Sequence, residues 1–200
     1  MSLIKWCLAV IGIIGVLAFI ALIIGYFLFS LTPSIKADLT PVVVSAEAAQ
    51  SFDQKFKAFE TELKEAVADG EEKEISMVIT EQEVNNKILD VLAEGELPLK
   101  KVLINFEEDY FLVFAIVDIT GADAKTGLIA ETKIVKDNLK IAVKKFDLGK
   151  LPLPQCVDSG VEKLLNIMIR LRLADLPMEI SKVEISDSQL IITGLAKIAK

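Results

Sequence analysis

The sequence predicts an α+β fold in which an N-terminal transmembrane helix precedes a long curved antiparallel sheet wrapped on helices. The first observation is an apolar stretch, residues 6–34, without a charged side chain. The second is a series of short extended segments separated by turn sequences such as Glu107-Glu108-Asp109, since short turns join antiparallel neighbours. The third is that only two helical segments interrupt these strands, whereas a parallel sheet alternates strand and helix.

The apolar stretch is the predicted membrane anchor. Its core, CLAVIGIIGVLAFIALIIGYFLFSL, exceeds the about 20 helical residues that cross a hydrocarbon layer. The alternative, a cleaved signal peptide, has an apolar core of about 7–15 residues followed closely by a cleavage site. We therefore interpret the stretch as an uncleaved, single-pass signal-anchor in the cell membrane. Lys5 precedes it and Lys36 is offset by Asp38, which favours a cytoplasmic N-terminus and an extracytoplasmic domain.

Three regions follow: an anchor (1–35), a stem with an amphipathic helix (36–73) and an α+β extracytoplasmic domain (74–200). In the stem, Ser45 is a suitable N-cap and Asp69-Gly70 a suitable helix end. Four apolar residues between them recur at helical spacing: Phe52, Phe56, Phe59 and Leu63. Because lysines and glutamates mix on the other face, we expect this stripe to pack on the domain rather than on an anionic membrane.

The domain opens with a strand, EISMVIT (74–80), followed by a capping box. Thr80 and Glu83 have the Thr-x-x-Glu spacing in which each side chain bonds the other residue's backbone N–H. Ile79 and Val84 suit the accompanying hydrophobic staple. A helix is therefore predicted from residue 81 to Gly95.

Four predicted strands come next, joined by short turns; they cover 99–106, 110–120, 124–136 and 138–147. The first and last alternate apolar and polar residues and should each have one wet face. The strand at 110–120 is apolar on both sides, so we expect it to be covered on both faces.

The chain then passes through KFDLGKLPLP into an apolar helix. We expect Gly149, Pro152 and Pro154 to turn it from the sheet edge onto the concave side of the sheet. The helix is predicted at 157–173, where it lines or plugs a groove. Strands at 178–186 and 189–196, joined at Asp187-Ser188, complete the order β-α-β-β-β-β-α-β-β.

These segments resemble a known family. KFDLGKLPLP, the apolar helix, LADLPMEI and the closing hairpin behind a single N-terminal span resemble the YpmS-like family of bacterial membrane-anchored proteins. ITEQEVNNKI and DSQLIITG are also similar to the LmeA-like and YceB-like envelope proteins. The resemblance, over residues 74–196, implies a tubular, BPI-like lipid-binding fold, in which a curved sheet encloses a helix and leaves an apolar groove. It implies no catalytic motif.

The residue inventory argues against an enzyme. The chain has no histidine, which excludes Ser-His-Asp and Cys-His sites and histidine-ligated metals. Asp118 and Asp123 are a conceivable carboxylate pair, but they flank a turn. Cys156 is expected to be a small buried hydrophobe. We therefore expect no catalytic residue, no metal site and no cofactor.

Charge and apolar surface point to the expected partners. The net charge of −7 disfavours nucleic acid as a partner. The surplus of apolar faces has two interpretations, a solid core or an apolar groove for an acyl chain. The leading hypothesis is an anchored binder, carrier or chaperone of lipid or lipid-linked envelope intermediates. The rival is an anchored assembly or scaffold protein that acts through an envelope protein partner. The predicted groove lining is Ile88, Leu92, Phe111, Val113, Leu164, Leu165 and Met168.

Overall fold

The computed structural model describes most of the chain. It describes residues 2–41, 43–70, 72–95, 98–119, 121–135, 138–173, 177–186 and 188–197. Within these ranges the side chains of residues 2–15, 37–38, 138, 155 and 168–173 are not described. The predicted turns at Asp187-Ser188 and at Asp137-Asn138 therefore lie partly outside the described residues.

One helix is long and apolar enough to cross a membrane. This helix, α1, covers Ser2–Ser30 and is followed by a short 3-10 helix over Ser34–Asp38. Its described side chains are almost entirely exposed, as expected of a helix whose surroundings are lipid. The second long helix, α2, covers Ala46–Asp69. It begins at Ser45, whose hydroxyl accepts from the backbone N–H of Ala48 at 3.3 Å, and ends at Gly70, as predicted.

The rest of the chain is α+β, with two antiparallel sheets instead of the one long sheet predicted. In chain order the elements are β1 (Glu74–Thr80), α3 (Glu81–Ala93), β2 (Leu99–Glu107), β3 (Tyr110–Ile119), β4 (Ala122–Val135), β5 (Asn138–Leu148), α4 (Gln155–Leu173), β6 (Met178–Ser186) and β7 (Gln189–Ala196). This is the predicted order. The small sheet is ordered β1-β7-β6 and the large sheet β2-β3-β4-β5.

Among the described residues, the strands of the small sheet pair with each other and not with strands of the large sheet. β7 lies between β1 and β6 and uses both of its edges for them. β6 instead packs across one end of the large sheet, where the Asp109 N–H donates to the Ile185 carbonyl at 3.3 Å. A single such bond is a contact between sheets and does not extend the ladder.

The small sheet and α2 enclose the main hydrophobic core. Phe59, Leu63 and Ala66 of α2 are buried against residues of all three strands. The strand residues of this core are Ile75, Met77, Ile79, Met178, Ile180 and Ala196. The predicted packing of α2 on the domain is therefore confirmed, although Phe56 of the stripe remains 38% exposed.

Candidate functional site: an apolar trough

The two faces of the large sheet differ in chemistry. We call the face that carries Phe111, Val113 and Leu128 the inner face, and the opposite one the outer face. The strand registers place on the inner face Leu99, Val102, Ile104, Phe106, Phe111, Val113, Ala115, Val117, Ile119, Ala122, Ala124, Thr126, Leu128, Ala130, Thr132, Ile134, Leu139, Ile141, Val143, Phe146 and Leu148. All of these are apolar except the two threonines, and none is charged.

The outer face carries charges at its margins. Its centre is covered by the segment that joins α1 to α2, which we include in the stem. Phe114 is completely buried there, and the Lys36 ammonium lies 5.3 Å from the centre of its ring. Ile35 is also buried, and it packs with Pro33 directly against Gly127, where a Cβ atom would collide with it. The prediction that β3 is covered on both faces therefore holds at the centre of the outer face. It holds only in part on the inner face, where Val113 is half-buried and Ile119 is exposed.

The inner face is only partly covered along its middle. Val113, Ala115, Leu128 and Phe146 are half-buried, in contrast to Phe114 on the other side of the same sheet. Side chains in a packed protein interior are surrounded on all sides. Phe106, Ala124 and Ala130 of the same face are buried. We interpret the four half-buried side chains as the floor of an open apolar trough.

One wall of the trough is α3, which lies along the free edge of β2. The Asn85 amide donates to the Ile104 carbonyl at 2.6 Å, and its oxygen accepts from the Ile104 N–H at 2.8 Å. The Glu81 carboxylate accepts from the Phe106 N–H at 2.9 Å. These two side chains take the place of a neighbouring strand for three groups of the β2 edge, the Ile104 N–H, the Ile104 carbonyl and the Phe106 N–H.

The other wall is α4, which lies along the free edge of β5 with the same arrangement. The Asn166 amide donates to the Ile141 carbonyl at 2.7 Å and accepts from the Ile141 N–H at 2.9 Å. The Glu162 carboxylate accepts from the Val143 N–H at 3.0 Å. The chain was predicted to turn from the sheet edge onto the concave side; instead α4 contacts the edge strand itself.

We call these two sets of helix-to-edge hydrogen bonds the clamps. Both use the sequence pattern Glu-x-x-x-Asn. In each clamp the Asn side chain bonds one residue of the edge strand, and the Glu side chain bonds the residue two positions further along that strand. β2 and β5 run antiparallel to each other at opposite edges of the sheet. A two-fold rotation about the sheet normal therefore relates the two clamps. Such a rotation leaves both helices on the same face of the sheet. Val84, one residue before Asn85, packs on the core beside the inner face. We infer that Leu165, one residue before Asn166, also lies on the inner side.

The ends of the trough differ. At the far end, β6 crosses the sheet, and Leu139 of the inner face packs into the main core. At the opposite end, which we call the anchor end, the Lys150 N–H donates to the Leu28 carbonyl at 2.8 Å, and the Lys125 ammonium donates to Ser30 at 3.2 Å. Gly149 allows this approach, because it has φ +59° and a Cβ there would collide with the carbonyl of Leu28.

Six of the seven predicted lining residues have described side chains, and they lie on β3, α3 and α4. That they line a groove stays a prediction. Phe111 and Val113 are half-buried on the inner face, and Ile88, Leu92 and Leu165 are half-buried on the two walls. Leu164 is 58% exposed. The side chain of Met168 lies outside the described residues. Leu128 and Phe146, and the clamp asparagines, were missed; the repeated Glu-x-x-x-Asn pattern was the available signal for the latter.

The predicted chemistry candidates have structural partners. The Lys100 ammonium contacts Asp118 at 2.9 Å and Asp123 at 2.5 Å. The hydrogen bond from Lys100, with another from the Gly121 N–H, holds the pKa of Asp118 below its ordinary value. Cys156 is exposed, not buried as predicted. Among the described residues, no group of three or more acidic or cysteine side chains could hold a metal ion.

A buried polar network ties α3 to α2. Burial raises the pKa of Glu83, but hydrogen bonds from Lys55, Ser51 and the Thr80 N–H outweigh this effect and leave the pKa below its ordinary value. The Glu83 oxygens lie 2.8 Å from Lys55 and 2.5 Å from the Ser51 hydroxyl. The predicted capping box is present, with Glu83 and Thr80 bonding each other's backbone N–H. Glu83 therefore caps α3 and pairs with α2.

Comparisons with known proteins return no relative. A scan against family models, a search of curated proteins and a search of solved structures each find no match.

Proposed function

We propose that this protein is a membrane-anchored binder, either a carrier or a chaperone, of lipid or lipid-linked envelope intermediates, and that the trough holds their acyl chains. The observation that carries the proposal is the uncharged, half-covered inner face that opens beside the anchor. Ligand sites are concave and mainly apolar, and each buried CH₂ contributes about 0.8 kcal/mol. In this proposal the sheets and the two wall helices form the tubular, BPI-like arrangement that the family resemblance implies.

Membrane anchoring is part of the proposal. α1 has the length and composition of a span, and the weak charge bias favours an extracytoplasmic domain. A bacterial cell envelope is what the family resemblance implies. Protease added outside intact spheroplasts should then digest the domain and leave α1 protected. Digestion that requires lysis would contradict this orientation.

A photoactivatable phospholipid tests the trough in the full chain. After illumination in membranes, crosslinks mapped by mass spectrometry should fall on β3, β4 and the Val161–Leu165 side of α4. Leu165→Trp should reduce crosslinking several-fold, because the indole would occupy the space of an acyl chain. Leu164→Trp is the matched control, since it adds the same ring at a 58% exposed neighbour. Crosslinks confined to α1, unchanged by Leu165→Trp, would reject the proposal.

The second candidate function is a scaffold that acts through an envelope protein partner. The exposed apolar side chains of Leu164 and Ile167 on α4 favour it, because a partner could bury them. It would be supported if crosslinks with lipid were confined to α1 while Leu164→Asp abolished function in cells and left the protein folded.

A further inference from the structure

The path of the stem places the β3–β4 hairpin on the membrane side of the domain. The Lys125 ammonium donates to the Ser30 carbonyl, and five residues later Ile35 packs on Gly127. Further on, the Thr40 N–H donates to Asn105 at 3.1 Å. The chain therefore runs along β4 away from the hairpin tip as it leaves the span. Because the Leu28 carbonyl accepts from the Lys150 N–H, beyond the Gly149–Lys125 pairing, we infer that α1 continues on the same side of Lys125 as the tip.

The last turns of α1 are packed against the domain. Gly25, Leu28 and Phe29 are half-buried, whereas Tyr26 and Phe27 between them are exposed. Aromatic residues at the end of a span are typical of the membrane–water interface. The anchor end of the large sheet is therefore fixed close to the level of the lipid headgroups.

The hairpin tip extends beyond that contact. From Lys125 to Gly121 is four residues, or about 13 Å at 3.3 Å per strand residue. The tip presents Ile119, which is 46% exposed. Its acidic neighbours Asp118 and Asp123 are both paired with Lys100, which lowers the cost of bringing carboxylates towards a bilayer.

We propose that the β3–β4 hairpin dips into the bilayer interface beside the anchor, with Ile119 as the inserted side chain. The open anchor end of the trough would then stand on the membrane, and an acyl chain could pass between them without crossing water. The occupant of this surface is the lipid bilayer itself. The inference rests on the anchoring part of the proposed function and not on the ligand of the trough.

Tryptophan fluorescence in the full chain tests the insertion. In a Trp6→Phe background, Ile119→Trp is reconstituted into phosphatidylcholine vesicles that contain lipid with brominated acyl chains, which quench nearby indoles. Ile134→Trp is the matched control. Ile134 belongs to β4, lies on the same inner face of the sheet as Ile119, is 38% exposed and stands at the far end of the sheet. We expect quenching at position 119 to be at least several-fold stronger than at position 134.

Three outcomes would overturn the inference. One is an unquenched Ile119→Trp variant in a protein that still floats with the vesicles. Another is equal quenching at both positions, which would indicate a domain lying flat on the bilayer. The third is quenching that saturates at a single bound lipid instead of rising with the fraction of brominated lipid, because that would report the trough alone. Loss of flotation would instead reject the anchoring part of the proposed function, and the crosslinking experiment judges the trough separately.

Discussion

The two walls of the trough use the same clamp but differ in everything around it. Asn85 is 1% exposed, and α3 is held on its other side by α2 through Glu83, Lys55 and Ser51. Asn166 is half-buried, and α4 has exposed Leu164 and Ile167 on its outer side. Equal hydrogen bonds in unequal surroundings do not contribute equally to stability, because water can replace a lost partner only where it can reach. We infer that α3 is the fixed wall and α4 the wall that can yield.

The strongest test of this comparison removes each clamp in turn. Asn85→Ala leaves the Ile104 N–H and carbonyl without partners in a dry site, and we expect a loss of about 3 kcal/mol in the free energy of unfolding. Asn166→Ala should cost only about 1 kcal/mol, because water can reach Ile141. Denaturant unfolding of the full chain in detergent micelles measures both. Equal losses would contradict the assignment of a fixed and a yielding wall.

The second test concerns the charge on Glu83. Its folded-state pKa is lowered, so its contribution to stability is present at neutral pH and is lost as pH falls through that lowered pKa. Glu83→Gln keeps the shape but weakens the bonds from Lys55 and Ser51, and should cost about 2 kcal/mol at neutral pH. Melting temperatures across an acid series should fall less steeply for the variant. Parallel curves would show that Glu83 is not the group responsible.

A smaller effect is expected from the cap of α3. Thr80→Ala removes the hydroxyl that accepts from the Glu83 N–H at 3.2 Å and should cost about 1 kcal/mol. Thr61→Ala is a suitable control, since its hydroxyl bonds an exposed turn inside α2. A thermal melt in which both variants match the unmodified chain would show that the Thr80 cap contributes nothing.

The smallest effect is expected on the outer side of α4. Cys156→Ser changes an exposed side chain and should alter stability by less than about 0.5 kcal/mol. The Cys156→Ser variant should also keep its function in cells. The same is expected of Asp118→Asn in β3 and Asp123→Asn in β4, because no catalytic role is assigned to these side chains. Complete loss of function in one of these variants, at normal abundance, would return an enzymatic role to consideration.

Local sequence signals were enough to place nearly every helix and strand. The capping box at Thr80 and Glu83, the N-cap at Ser45 and the turn at Glu108-Asp109 are short-range patterns, and each depends on residues that are neighbours in the chain. Apolar spacing also singled out Phe111 and Val113, which are half-buried on the inner face. Strand boundaries agree to within about two residues for the same reason.

The tertiary structure alone decided how these elements enclose space. Whether the second edge of β7 would join the large sheet or pair with β1 depends on a pairing across more than a hundred residues, which no local pattern specifies. The stem over Phe114 and the contact of Gly149 with the end of α1 are likewise long-range. By itself, the sequence determined a long apolar N-terminal helix, the element order and a surplus of apolar surface. Only the folded arrangement decided that the stem covers the centre of one face of the large sheet while several side chains of the other face stay half-buried, because burial depends on what packs across a face.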